Sequence, residues 1–265
     1  MTVSTFSSLE KKVAVITGGG SGIGKASALG LAKQGASVCL IDLNKTDAQE
    51  TEKEIEALGG KALLCEADVS QPEEVKQAFD DTINTFGKID IVFANAGING
   101  VITPIEDMPP AEWDRTLSTN LKSTFLTVKY AVPFLKERGG SIIITSSING
   151  NRVFSGFGMS AYSSSKAGQV AFAKMAALEL AGYHIRVNVI CPGATKTNIG
   201  ENTHHERQKL SKVKIPVEYP EGNLPLEHKP GSSQQIADLV TFLASDAASH
   251  ITGTEVYIDG AQSLL

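Results

Sequence analysis

Short apolar runs alternate along the chain with longer segments in which apolar residues recur at helical spacing. The apolar runs predict strands at Lys12–Thr17, Ser37–Asp42, Ala62–Ala67, Ile89–Asn95, Ser141–Ser146 and Ile185–Cys191. The segments between them predict helices near Gly22–Gln34, Asp47–Leu58, Pro72–Phe86, Ala111–Glu137 and Ala161–Ala181. Strands that alternate with helix-length segments are typical of βαβ units with right-handed crossovers. The sequence therefore predicts an α/β fold, a single doubly wound parallel sheet with helices on both faces.

One polar segment, residues 194–235, interrupts this alternation and is broken by Pro216, Pro220, Pro225 and Pro230. A connection of this length in a compact domain is usually functional or disordered. It follows the carboxyl end of a strand, where doubly wound sheets bind ligands, so we expect a lid over the active site. Because the sequence has no internal repeat or low-complexity linker, we expect one Rossmann-type catalytic domain over residues 1–265.

The bulk composition favours a cytoplasmic enzyme over a nucleic-acid-binding or membrane protein. The net charge of −5 offers no clustered positive charge for nucleic acid. Residues 1–12 lack the apolar stretch of a signal peptide, and no apolar run approaches the roughly 18 residues of a membrane helix. Cys39, Cys65 and Cys191 all lie in predicted strands, so we expect them to be reduced residues of the core.

A glycine cluster between the first strand and the first helix predicts a dinucleotide site. Gly18, Gly22 and Gly24 would let the backbone approach a pyrophosphate, whose charge the helix N-terminus meets. Asp42 ends the second strand, where such folds place an acid on the adenosine ribose hydroxyls. A tight strand-to-helix turn also needs glycine, and Asp42 could simply form a turn, so these residues alone leave both explanations open.

The spacing Gly18-x3-Gly22-x-Gly24 resembles the glycine motif of the short-chain dehydrogenase/reductase family, classical type. Further strings match that family in order from Lys12 to Gly260. The resemblance implies that Asp68 and Val69 hold the adenine. It implies that Asn95, Ala96 and Gly97 support the cofactor and the central sheet. It implies further cofactor contacts from Ser21, Ile23, Leu43, Pro192, Gly193, Thr195 and Thr197.

Tyr162 and Lys166 stand four residues apart on a predicted helix, so they share a face. A free tyrosine has a pKa of about 10, and a nearby cation lowers it. Tyr162 could then act as general base toward an alcohol or as general acid toward a carbonyl. The five-residue string alone favours the alternative, an exposed Tyr/Lys pair on a helix.

The family resemblance completes this set of catalytic residues. It implies that Ser147 holds the substrate oxygen, and it favours Ser147 over Ser146 because Ser147 stands three residues before Gly150. It implies that Asn120 kinks its helix and anchors a proton-relay water, and that Lys166 and Tyr162 also bind the nicotinamide ribose. The Ser147–Tyr162 spacing is about two residues longer than the family pattern, which predicts an enlarged loop.

Together, these residues and the family resemblance predict an NAD-dependent oxidoreductase of secondary alcohols and ketones that works as a homotetramer without a metal. Asp42 should repel the extra phosphate of NADP. Apolar residues predict a largely apolar substrate pocket: Ile98, Ile102, Val153, Phe154, Phe157 and Met159. The alternatives are a 3-oxoacyl-carrier-protein reductase, a sugar or polyol dehydrogenase, and a non-catalytic nucleotide sensor. A methyltransferase would have no use for Tyr162 and Lys166 beside Ser147.

Overall fold

The computed structural model describes residues 8–213, 215, 217–220 and 222–265. Its strands are β1 Val13–Thr17, β2 Ser37–Asp42, β3 Ala62–Glu66, β4 Ile91–Ala94, β5 Gly100–Ile102, β6 Gly140–Thr145, β7 Ile185–Pro192, β8 Thr195–Lys196, β9 Thr203–His205, β10 Gly231–Ser232 and β11 Glu255–Ile258. Its α-helices are α1 Gly22–Lys33, α2 Lys45–Ala57, α3 Pro72–Phe86, α4 Pro110–Leu117, α5 Ser123–Leu135, α6 Ser160–Leu180, α7 Arg207–Val213 and α8 Ser233–Ala244.

Within these residues, a seven-stranded sheet has the order β3-β2-β1-β4-β6-β7-β11, and every pairing is parallel. Alternate residues of β1 face opposite sides: Val15 packs in one apolar layer and Ile16 in the other. Helices α3, α5 and α6 bury residues in the first layer, and α1 and α8 bury residues in the second. The predicted doubly wound sheet is confirmed.

The predicted helix Ala111–Glu137 is wrong as one regular element. It divides into α4, a π-helical turn at Ser118–Lys122, and α5. Asn120 lies in the π turn, fully buried, and its carbonyl accepts hydrogen bonds from Thr124 Oγ1 and Gln169 Nε2. Such a turn inserts one extra residue per turn and is frequent at functional sites.

None of the helices in the described part of the chain is long and apolar enough to cross a bilayer.

The segment 194–235 is more regular than its sequence indicates. It contains β8, β9, α7 and β10, and helix α8 already begins at Ser233. Strand β9 pairs with β5, and Glu206 accepts a hydrogen bond from Thr103 Oγ1 at 2.7 Å, so the segment is fastened to the loop after β4. Lys214, Pro216 and Glu221 lie outside the described residues, as do residues 1–7. The role of the segment 194–235 as a lid stays a prediction.

The three cysteines are buried free thiols, as expected. Cys39 and Cys65 lie on the neighbouring strands β2 and β3 with their sulfurs 3.7 Å apart. Cys191 lies in β7, and burial raises its pKa to about 12.

Candidate active site

A cleft of about 870 Å³ opens at the carboxyl ends of β1, β2, β4, β6 and β7. Parallel strands present these ends at one edge, where doubly wound sheets bind their ligands. Most of the predicted site residues line it: Gly18, Ser21, Gly22, Ile23, Asp42, Leu43, Asn95, Ala96, Gly97, Ser147, Tyr162, Lys166, Pro192, Gly193, Thr195 and Thr197. Four predicted residues do not line it: Gly24, Asp68, Val69 and Asn120.

The glycine turn shapes one end of the cleft. Gly18 and Gly22 adopt the left-handed φ values of +68° and +52°. Gly24 lies behind the turn, where a Cβ would come within 1.8 Å of the Gly18 carbonyl oxygen. Ser21, which precedes α1, makes no side-chain capping hydrogen bond, so the first N–H groups of the helix remain available. A helix N-terminus of this kind fits the pyrophosphate of a dinucleotide.

The Asp42 carboxylate faces the same end. One oxygen accepts a hydrogen bond from the Gly20 N–H at 2.8 Å and the other from the Asn44 N–H at 2.9 Å. Each oxygen keeps capacity for a further donor such as a ribose hydroxyl. The nearby Lys45 ammonium forms an ion pair with Glu66 at 3.0 Å.

Asn95 joins three strands at the sheet edge. Its backbone N–H donates to Thr17 Oγ1 at 2.9 Å, and its Nδ2 donates to the Thr17 carbonyl at 3.2 Å. Its Oδ1 accepts from Thr145 Oγ1 at 3.1 Å. Strands β1, β4 and β6 are thereby held together where the cleft opens.

Asp68 and Val69 follow β3, as predicted, but lie outside the cleft. Asp68 Oδ1 accepts a hydrogen bond from the Ser70 N–H at 2.8 Å, and the Asp68 N–H donates to Glu74 at 2.7 Å. Val69 is only 7% exposed. These contacts organise the turn into α3, and adenine binding by the pair stays a prediction.

The other end of the cleft holds the tyrosine, the lysine and the serine. Tyr162 and Lys166 are buried on α6, with the Lys166 Nζ 5.6 Å from the Tyr162 ring centroid. The Lys166 Nζ donates to the Thr145 carbonyl at 2.9 Å. The Ser147 side chain lies beside the Tyr162 hydroxyl and acts to lower its pKa. Ser146 instead donates to the Lys166 carbonyl at 2.8 Å, so its hydroxyl is engaged away from the phenol.

Burial governs the proton affinities of both α6 groups. It raises the pKa of Tyr162, and the Ser147 side chain opposes this increase. It lowers the pKa of Lys166 to about 8. The expected lowering of the Tyr162 pKa by Lys166 is not seen, because the ammonium is directed to the Thr145 carbonyl and both groups are desolvated.

Asn120 lies behind the cleft rather than in it. Its Oδ1 accepts from the Ile98 N–H at 2.8 Å, and its Nδ2 donates to the Ile98 carbonyl and to Ser165 Oγ, each at 2.9 Å. The Asn120 amide therefore fixes the loop after β4 against α6. Its contact on α6 is Ser165, one residue before Lys166.

The predicted apolar pocket is largely wrong. Of its six residues only Met159 lines the cleft. Ile98 and Ile102 are buried, and Phe154 is 71% exposed. Sequence reasoning missed several polar residues that do line the cleft: Asn44, Asp47, Asn99, Asn149, Asn198, Glu201, Asn202 and Gln262. Asp47 lies in the first turn of α2, and the others lie in loops and short 3₁₀ turns, where periodicity gives no signal.

No group of three or more metal-ligating side chains occurs among the residues that the structure describes. His204 and His205 are exposed on β9. Metal-free catalysis stays a prediction for the chain.

Comparison with known proteins identifies the family. A family model described as "Enoyl-(Acyl carrier protein) reductase" matches residues 18–261. A cyclohexanol dehydrogenase from Acinetobacter sp. (strain SE19) is 40% identical over 94% of this chain and 94% of its own. The structure resembles the crystal structure of a 3-ketoacyl-ACP reductase from Sinorhizobium meliloti 1021, with a TM-score of 0.89 and 47% identity over 95% of this chain and 99% of that chain. It also resembles the crystal structure of a carveol dehydrogenase from Mycobacterium avium in complex with NAD, with a TM-score of 0.85 and 27% identity over 98% of this chain and 100% of that chain.

The chain belongs to the short-chain dehydrogenase/reductase family of oxidoreductases, which use nicotinamide cofactors. The matches cover nearly the full length of both partners, so the resemblance drawn from the motifs is confirmed.

Proposed function

We propose that the protein interconverts a secondary alcohol and its ketone with NAD(H). The observation that carries this proposal is the two-ended cleft. Ser147, Tyr162 and Lys166 meet at one end, and the Asp42 carboxylate faces the other. One continuous cavity of about 870 Å³ has room for a dinucleotide and a small substrate.

The chain's own groups bind the substrate and move the proton. Ser147, whose side chain lies beside the phenol, would hold the substrate oxygen next to the Tyr162 hydroxyl. Tyr162 accepts the proton from an alcohol or gives it to a ketone. Lys166 would contact the nicotinamide ribose, and Asn120 fixes the loop that packs on α6. A nicotinamide cofactor, when bound, would supply or accept the hydride.

NAD fits the adenosine end better than NADP. The 2′-phosphate of NADP carries a charge of about −1.5 to −2 and would lie close to the Asp42 carboxylate. Asp47 lines the same end, and Lys45 is already paired with Glu66. The NAD complex of the related carveol dehydrogenase supports this choice.

A 3-oxoacyl-carrier-protein reductase is the second candidate, because the Sinorhizobium meliloti structure of that name shares 47% identity. An acidic carrier protein needs a basic docking surface. The end of α6 carries no cation of its own, but the Lys136 Nζ lies 4.3 Å from the Tyr183 ring centroid, and Arg138 is exposed nearby. Comparing kcat/KM for acetoacetyl-carrier protein with that for cyclic ketones separates the two; a clear advantage for the carrier-bound substrate establishes the second.

Replacement of Tyr162 by Phe tests the proposed chemistry. The ring is kept and the transferable proton is lost, so we expect kcat to fall by on the order of 10²–10⁴ while NADH still binds. Tyr130→Phe, which removes a hydroxyl from α5, serves as the matched control. The readouts are NADH absorbance for turnover and NADH fluorescence for binding. Near-normal turnover by Tyr162→Phe would contradict the mechanism.

A further inference from the structure

Two carboxamides flank the catalytic end of the cleft. Asn149 follows Ser147 by two residues, and its backbone N–H donates to Ser147 Oγ at 3.2 Å. Asn99 follows Gly97 by two residues, on the loop between β4 and β5. A Cβ on Gly97 would lie 3.5 Å from the Lys166 Nζ, which places that loop at the catalytic end. Both residues therefore lie on segments that reach the catalytic end of the cleft.

Both carboxamides keep hydrogen-bonding capacity. The Asn149 Nδ2 contacts the Met159 sulfur at 3.7 Å, and a thioether is a weak acceptor. The Asn99 Nδ2 donates to Thr203 Oγ1 at 2.9 Å, but its Oδ1 accepts no hydrogen bond from the described residues. Both residues are half-buried. Removing such amides from water under an apolar ligand would leave their polar groups unsatisfied, which is costly.

We propose that Asn99 and Asn149 bind a second oxygen of the substrate, so that the preferred substrate is a diol, a hydroxyketone or a diketone. This inference rests on the proposed alcohol/ketone chemistry. A site built to hydrogen-bond an oxygen discriminates strongly against the analogue that lacks it. The two carboxamides supply donors and acceptors, so they fit either a hydroxyl or a carbonyl at the second position.

The test compares cyclohexanol with cyclohexane-1,2-diol and cyclohexane-1,4-diol as substrates for oxidation. We expect wild-type kcat/KM to be at least about tenfold higher for one diol, beyond the twofold statistical advantage of two hydroxyls. Asn149→Leu and Asn99→Leu keep the side-chain size and remove the amides, and each should lower the diol-to-cyclohexanol ratio about threefold to tenfold. Thr203→Val removes the Asn99 partner without removing the amide, and should keep the ratio.

Each other outcome has a distinct meaning. A kcat/KM for cyclohexanol equal to that for both diols would overturn the inference and leave the proposed function standing. A diol-to-cyclohexanol ratio unchanged in the Leu variants would do the same. A higher KM for NAD in Asn149→Leu with an unchanged ratio would assign the amide to the cofactor and also overturn it. No oxidation of any alcohol in a broad panel, with NAD or with NADP, would overturn the proposed function itself.

Discussion

At the residue scale, the Asp42 carboxylate lies at the end of the cleft where we propose that the adenosine binds. Both of its oxygens accept backbone N–H groups, so its position is fixed before any ligand binds. We expect kcat/KM to favour NAD over NADP at least about tenfold, equal to roughly 1.4 kcal/mol. Asp42→Asn should narrow this preference, since it removes the charge and keeps an acceptor for Gly20. Asp238→Asn, which removes an exposed carboxylate from α8 outside the cleft, is the control. A wild-type enzyme that prefers NADP would refute the assignment.

Lys166 should make stability depend on pH. Its pKa is about 8 in the folded protein against an ordinary value of 10.5, so between these values the unfolded chain binds more protons. The free energy of unfolding should therefore rise with pH, by about 2 kcal/mol between pH 7 and 9.5. Urea denaturation across that range should show this rise in the wild type and not in Lys166→Met. Parallel curves for the two proteins would contradict the burial argument.

At the scale of elements, the turn from β1 into α1 depends on Gly24. A Cβ added at Gly24 would come within 1.8 Å of the Gly18 carbonyl oxygen, so Gly24→Ala must displace the turn that we propose holds the pyrophosphate. We expect NADH affinity, measured by fluorescence titration, to fall at least about tenfold. Gly182→Ala is the matched control, because a Cβ there meets nothing within 4 Å. Equal affinities for the two variants would show that the turn tolerates the side chain.

The regular elements could be predicted from the sequence because they bury one face or both. The predicted strand Ser37–Asp42 and helix Pro72–Phe86 have the observed bounds of β2 and α3. Helix α8 was missed, although Ser232 and Gln235 form a capping box that marks its start. Strands β5 and β9 are three residues long and are defined by pairing with each other, far apart along the chain, which no local pattern encodes.

The candidate site could be predicted where backbone constraints fix a residue, and not where loops meet in space. Gly18, Asp42 and Tyr162 line the cleft as predicted. Asn99 and Asn149 were missed because the loops that carry them have no periodicity. The apolar residues between Ser147 and Tyr162 were assigned to the pocket by position alone, and Phe154 points to solvent.

At the scale of the whole molecule, the strand order explains where the cleft lies. From β1 the chain moves to β2 and β3 on one side, then returns to β4 and continues to β6, β7 and β11 on the other. The connections on either side of this reversal diverge, which leaves a crevice at the carboxyl ends of β1 and β4. The glycine turn follows β1 and Asn95 follows β4, and the proposed catalytic residues follow from the next strand and helix.

Helices α5 and α6 also carry exposed apolar side chains that bear on assembly. Val128 and Val170 of α5 and α6 are buried in the core, but Phe125, Met175 and Leu178 are 44%, 65% and 77% exposed. Phe125 of α5 packs edge to face on Phe172 of α6, with the ring centroids 6.3 Å apart, so the two helices share this exposed apolar surface. A cluster of exposed apolar side chains marks an interaction surface. We propose that the two helices pair with those of a second copy within a homotetramer.

Light scattering at micromolar concentration should therefore give the mass of four chains. Leu178→Glu places a charge where the paired helices would exclude water, so this variant should give dimers or monomers. Phe154→Glu is the matched control, since Phe154 is also exposed, at 71%, but lies on the loop between β6 and α6. A monomeric wild-type protein would refute the assembly, and a tetramer unaffected by Leu178→Glu would place its interfaces elsewhere.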